Sequence, residues 1–263
     1  MPNFAANLSF LFQDLPFLDR FEAARRAGFR AVEYLFPYEH DPATLAGLLK
    51  RHGLTQALFN LPPGDWAKGE RGIAAFPGRE EEFAAGVEKA LRYAQALGCE
   101  RVHAMAGVLP HHVAREDAEK VYIANLKSAA ASLALHGIRL LIEPINTRDM
   151  PGYFLSTVEE ARRIMERVSH PNLLLQLDLY HAQVMGGDLA RRVETHLPVT
   201  DHIQIANPPD RHEPDDGEIN YGYLFSLIDR LGYKGWIGCE YKPRAGTLEG
   251  LGWARPFGIG GSA

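Results

Sequence analysis

IRLLIEPINTRDMPGYFLSTVEEARRIMERVSHPNLLLQLDL, residues 138 to 179, holds two apolar runs with a helix-length segment between them. The outer runs, IRLLIEPI (138–145) and LLLQLDL (173–179), are short and almost uninterrupted, as in strands covered on both faces. Between them Ala161, Ile164, Met165 and Val168 recur at i, i+3, i+4 and i+7, the stripe of an amphipathic helix. Strand, helix and strand at this spacing form a crossover unit, and such units build parallel sheets.

Outward from that unit the pattern repeats. FAANL (4–8), AVEYL (31–35), LTQALFN (54–60) and RVHAM (101–105) read as strands before it, DHIQIAN (201–207) and WIGCEY (236–241) as strands after it. Helices are expected over 17–28, 42–52, 80–97, 116–136 and 188–196, and where Leu224, Leu227, Ile228 and Leu231 form a stripe. Residues 61–79 form a long loop rich in Gly and Pro. Eight strands, each except the last followed by a helix, predict an α/β chain folded as one (β/α)8 TIM barrel over residues 1–255, rather than an open doubly wound sheet. Residues 256–263 show no periodicity and are expected as a loose tail.

The bulk composition narrows the partners. The chain has 263 residues, 46% hydrophobic and 23% charged, enough for a sizeable core. A formal net charge of −5 offers no basic surface for a phosphate backbone, so no nucleic-acid partner is expected. Cys99 and Cys239 each follow Gly in apolar surroundings and read as buried free thiols. The start, MPNFAANLSFLFQDL, has no basic residue ahead of its apolar ones, and no apolar run approaches the length of a membrane span. Cytoplasmic location without a membrane partner is the expectation, and a homo-oligomer is compatible with the chain.

Barrel enzymes carry their chemistry at the C-terminal ends of the strands. Asn7, Glu33, Asn60, His103, Glu143, Asp178, Gln204 and Glu240 lie at those ends, with His181 just beyond Asp178. Glu143, Asp178, Gln204 and Glu240 each follow an apolar run, where a carboxylate is costly unless paired or coordinated. One such residue alone is more often solvated or hydrogen-bonded than functional, but four on successive strands are harder to explain that way. Three carboxylates at one mouth repel each other without a cation, and oxygen donors suit Mg²⁺ or Mn²⁺ more than zinc. His181 could shift that balance. His103 reads either as a satisfied strand-end histidine or as a substrate contact, and Lys242 as either a solvated side chain or an anion contact. Glu33 reads as a supporting residue, and Arg79 as a helix-start salt bridge.

LLIEPIN, LQLDLYH, HIQIANPPDRHEPDDGEINY and GWIGCEYKP resemble the hydroxypyruvate isomerase family, within the xylose-isomerase-like barrels. FAANLSFLF, FNLPPGDWAKGERGIAAFPGRE and VHAMAG are similar to it too, so the resemblance runs from about residue 2 to 253. It implies a divalent metal at Glu143, Asp178, Gln204 and Glu240, with Glu143 and Glu240 as the proton donor and acceptor. It implies interconversion of hydroxypyruvate and 2-hydroxy-3-oxopropanoate (tartronate semialdehyde) by metal-assisted proton transfer through an enediolate. A close branch of the family acts on 2-oxo-tetronate, a four-carbon sugar acid, and the loop after residue 145 is where substrate length would be set. The substrate's carboxylate calls for a further cation, for which Arg211 is the candidate; His103, His181, Asn7 and Lys242 complete the expected substrate-binding set. A direct hydride shift is the rival chemistry. A metal-dependent endonuclease would call for a basic groove and several histidine ligands. A non-catalytic sugar-acid-binding barrel would need no paired glutamates.

Overall fold

The computed structural model describes residues 1–261, and Ser262 and Ala263 lie outside the described residues. The strands are β1 Asn3–Asn7, β2 Ala31–Glu33, β3 Thr55–Asn60, β4 Arg101–His103, β5 Arg139–Ile142, β6 Leu173–Asp178, β7 Thr200–Ile205 and β8 Trp236–Cys239. They pair in sequence order, and β1 pairs in parallel with β8, so the sheet closes into an eight-stranded barrel. The helices are α1 Arg20–Arg26, α2 Pro42–His52, α3 Glu80–Leu97, α4 Arg115–Ala134, α5 Val158–Val168, α6 Leu179–Met185, α7 Leu189–His196 and α8 Tyr221–Arg230. The expected TIM barrel is therefore the fold. No described helix is long and apolar enough to cross a membrane.

Local chemistry accounts for the helix ends. Asp41 accepts from the Thr44 amide at the start of α2, Pro42 occupies the first helical position, and Gly53 closes the helix in the left-handed region. Thr157 and Glu160 form a reciprocal capping box on α5, whose stripe of Val158, Ala161, Ile164, Met165 and Val168 is buried. Each of the larger side chains in that stripe contributes about 1.5–3 kcal/mol by leaving water.

Two details depart from the expectation. The strands are shorter than their apolar runs, because the chain leaves pairing where its side chains turn to the barrel mouth; Glu143 and Glu240 sit one residue past β5 and β8. The segment expected as a loose tail is packed as far as it is described. The Phe257 ring lies 5.0 Å from the Phe4 ring, Ile259 is buried, and the Gly260 amide donates to the Ala27 carbonyl at 2.8 Å. The rest of that tail falls on the two residues outside the description.

Strand alternation sorts the barrel interior into layers. Ala5, Ala31 and Ala57 form a small cluster of their own with Trp236 packed against it. Two residues further along their strands, Asn7, Glu33, Gly238 and the β7 residue Gln204 are neighbours in register. A Cβ on Gly238 would lie 2.3 Å from both Glu33 carboxylate oxygens. Gly238→Ala should therefore push Glu33 off its partners and cost about 1–3 kcal/mol, as overpacking does. Chemical denaturation measures this, and an unchanged midpoint would contradict the tight fit described here.

Candidate functional site

The mouth of the barrel holds a cavity of about 170 Å³. Glu143, Glu240, Gln204, Arg211, His181 and Asn7 line it, together with Glu33, Asp149, Arg71 and Trp66.

Two linked clusters make up its floor. The first joins Glu143, Asp178 and His181, whose ligand atoms all lie within 4.8 Å of one another. Asp178 is the N-cap of α6, and its Oδ1 accepts from the amides of Tyr180 at 2.7 Å and His181 at 3.3 Å. That leaves Asp178 Oδ2 buried with no hydrogen-bond partner, 3.6 Å from His181 Nε2. Glu143 Oε1 is likewise buried and unpartnered, 3.9 Å from the same nitrogen. Asn146 Nδ2 lies 2.6 Å from His181 Nδ1 and fixes the ring with Nε2 toward the two carboxylates.

The second cluster is saturated. Glu240 Oε1 pairs with Arg211 Nη2 at 2.6 Å, and its Oε2 accepts from Asn7 Nδ2 at 2.9 Å and Gln204 Nε2 at 2.5 Å. Glu33 Oε1 accepts from Asn7 at 2.9 Å and Gln204 at 2.8 Å, while its Oε2 lies 2.6 Å from His202 Nε2. Gln176 Nε2 donates to the Gln204 amide oxygen at 2.6 Å.

These surroundings set the protonation states. Burial first, then the charges of Glu240 and Asp178, push Glu143 well above the usual carboxylate range. Burial pushes Glu240 up to about 8, against the pull of Arg211. Asp178 is also raised by burial and held back by Arg211. Burial lowers His181 well below its ordinary value and takes His103 down to about 3, so both rings are neutral at pH 7.

Most residues expected at the site are there, in altered relations. Gln204 faces the carboxylates with its amide nitrogen, its oxygen accepting from Gln176, and His181 joins Glu143 and Asp178 at ligand spacing. Arg211 is bound to Glu240 and also lies 3.7 Å from Asp178 Oδ2, over the rings of Phe10 and Tyr180. His103 is buried with Nδ1 3.2 Å from Asn60 Oδ1, and its Nε2 has no partner. The Lys242 side chain is exposed and lines a separate surface groove; only its backbone meets the site loop, donating to Arg211 and accepting from His212. Arg79 pairs with Glu70 and Glu82, as its helix-start position suggested. Gln176 and His202 went unnoticed in the sequence, although strand alternation puts them on the same inward faces as Asp178 and Gln204.

Unpartnered, buried carboxylate oxygens converging with a neutral imidazole fit a divalent cation, which would satisfy both orphaned atoms and offset the mutual repulsion.

Residues 21–257 match the family model described as xylose isomerase-like TIM barrel. The 2-oxo-tetronate isomerase of Cupriavidus necator is 54% identical over 257 residues, covering 98% of this chain and 99% of its own. The hydroxypyruvate isomerase of Escherichia coli K12 is 46% identical over 257 residues, covering 98% of this chain and 100% of its own. The crystal structure of a Brucella melitensis protein named AP endonuclease, family 2 superposes with a TM-score of 0.96 at 54% identity, over 98% of this chain and 99% of that one.

The raised carboxylates give a pH signature with a definite sign. Unfolded glutamates lose their protons near pH 4.3, whereas Glu240 in the metal-free fold holds its proton to about pH 8. Between those values the folded state binds more protons than the unfolded one, so stability falls as pH rises. The Tm of chelator-treated protein should drop between pH 5 and pH 8. Adding Mn²⁺ at pH 7 should restore it and release about one proton or more per ion, read by calorimetry in buffers of different ionisation enthalpy. A Tm unaffected by Mn²⁺, with no proton release, would contradict this picture.

Proposed function

Since the chain belongs to the xylose isomerase-like TIM barrel family, we propose that it is an isomerase of a small oxo-hydroxy sugar acid. The reaction moves a carbonyl between adjacent carbons, as in hydroxypyruvate to 2-hydroxy-3-oxopropanoate. The observation that carries this reading is the pair of buried glutamates, Glu143 and Glu240, lining one cavity beside a carboxylate–imidazole cluster suited to a cation. Between the two acids named for the relatives, the higher identity to the Cupriavidus necator protein favours the four-carbon 2-oxo-tetronate over hydroxypyruvate.

Isomerisation needs a base for a carbon-bound proton and an acid for the neighbouring carbon, both with affinities near neutrality. Glu143, through the carboxylate oxygen that the cation leaves free, would take the proton from the hydroxyl-bearing carbon. Glu240 is kept near neutrality by burial and supplies the proton at the former carbonyl carbon. The hydroxyl proton passes between the two substrate oxygens. A divalent cation held by Glu143, Asp178 and His181 would polarise the substrate oxygens and stabilise the enediolate charge. With one imidazole among carboxylates, Mn²⁺ suits the set somewhat better than Mg²⁺.

An endonuclease would need cationic surface for a phosphate backbone. The net charge of −5 and a lining with four carboxylates and two arginines favour a small acid instead. A sugar-acid partner in the cytoplasm, without nucleic acid or membrane, completes the proposal.

Glu143→Gln and Glu240→Gln should each lower turnover about 10²- to 10⁴-fold with the fold intact by circular dichroism. Near-normal turnover in either variant would sink the two-glutamate scheme. In heavy water the product should carry solvent deuterium on carbon, whereas its complete absence would point to hydride transfer.

A further inference from the structure

The substrate class proposed above carries a carboxylate, and the cavity is poorly disposed to receive one. Glu33, Glu143, Asp149 and Glu240 line it, and one of its two cations, Arg211, is already committed to Glu240. The other cation is Arg71, in the long loop after β3. Among the described residues no carboxylate lies within ion-pair distance of it. Nη1 donates to the backbone carbonyls of Trp66 at 3.1 Å and Glu70 at 2.8 Å, which fixes the guanidinium while leaving Nε and Nη2 without a protein acceptor. The plane is held further by the Trp66 ring, whose centroid is 3.9 Å from the Arg71 Cζ.

The loop itself is built to hold this position. Glu70 ties its two ends together, accepting from the Asp65 amide and pairing with Arg79. Gly72 has φ +104° and approaches the β4 end so closely that a Cβ would lie 2.3 Å from the Met105 carbonyl oxygen. A side chain at 72 would lift the loop, and Arg71 with it, away from the mouth.

We propose that Arg71 is the carboxylate receptor of this site, its open guanidinium edge taking the substrate's carboxylate. This rests on the sugar-acid reading. It gives Arg71, not Arg211, the role of selecting acids, and it orients the substrate with its carboxylate toward the β3 loop and its reacting carbons toward Glu143 and Glu240. A guanidinium fork matches a carboxylate in two parallel hydrogen bonds, which a lysine cannot reproduce.

The test is calorimetric binding, with Mn²⁺ present throughout, of hydroxypyruvate, 2-oxo-tetronate and the uncharged dihydroxyacetone to the wild type, Arg71→Met and Arg71→Lys. Loss of a charge-assisted contact should weaken binding of both acids to Arg71→Met by about 30- to 100-fold. The preference for acid over dihydroxyacetone should fall by a similar factor, with Arg71→Lys in between. If Arg71→Met fails to fold, Arg71→Lys carries the comparison, with a loss of about tenfold expected. The proposal is overturned if acid affinity in the variants stays within about threefold of wild type. It is equally overturned if acid and uncharged ligand weaken alike, or if the wild type binds neither acid. Acid binding that depends on Arg71 without any turnover would uphold the receptor and refute the isomerase reading, so the two failures are separable.

Discussion

Glu33, Glu143, Asp178 and Glu240 are all buried at one end of one barrel, and the rest of the site is organised around that fact. An ionised carboxylate cut off from water is costly unless it is paired, hydrogen-bonded or protonated. Each of these is treated differently. Glu33 is held by His202, Asn7 and Gln204, and Glu240 by Arg211, Asn7 and Gln204. Asp178 has one oxygen on the amides that begin α6. Glu143 has the least support, and burial raises its proton affinity well above the usual carboxylate range. The gradient runs from a saturated side at β1, β2 and β8 to an unsaturated side at β5 and β6, and it is on the unsaturated side that a cation fits.

Arg211 is placed at some conformational cost. Its φ of 63° puts it in the left-handed region, where a non-glycine residue is strained by roughly 1–3 kcal/mol. The loop is held there by backbone bonds: Asn207 and His212 bridge to each other, and the Arg211 carbonyl accepts from Lys242. The guanidinium then lies between Glu240 and Asp178, connecting the two halves of the site. Its charge lowers the proton affinity of both carboxylates and disfavours a proton on His181.

The fold was readable because the periodicities are clean. The apolar runs of β5 and β6 and the i, i+3, i+4, i+7 stripe of α5 define a crossover unit, and its repetition leads to the barrel. Glu143, Asp178, Gln204 and Glu240 were visible as polar breaks at the ends of apolar runs. What could not be read was orientation within the site. Which amide atom Gln204 presents depends on Gln176, a neighbour on another strand, and the partner of Arg211 depends on a left-handed backbone that no local residue pattern dictates. The α6 helix was missed because it is seven residues long and begins directly on Asp178, inside what reads as the end of a strand. Of the two readings of Lys242, the exposed side chain agrees with the solvated one: it follows Glu240 by two positions, but the chain has already turned outward. Packing of residues 256–261 depends on Phe257 and Ile259 finding the barrel, and two apolar residues among glycines give no periodic signal.

The proposed function holds that the buried carboxylates at the barrel mouth bind a divalent cation required to isomerise a small sugar acid. Its most direct test is a coupled turnover assay with 2-oxo-tetronate and hydroxypyruvate on protein stripped by a chelator and dialysed, before and after Mn²⁺ or Mg²⁺ is returned. The account predicts that at least one acid is isomerised, that stripping abolishes this turnover, and that the added ion restores it. Full turnover by protein verified to be metal-free, or no turnover of either acid with the ion present, would contradict it.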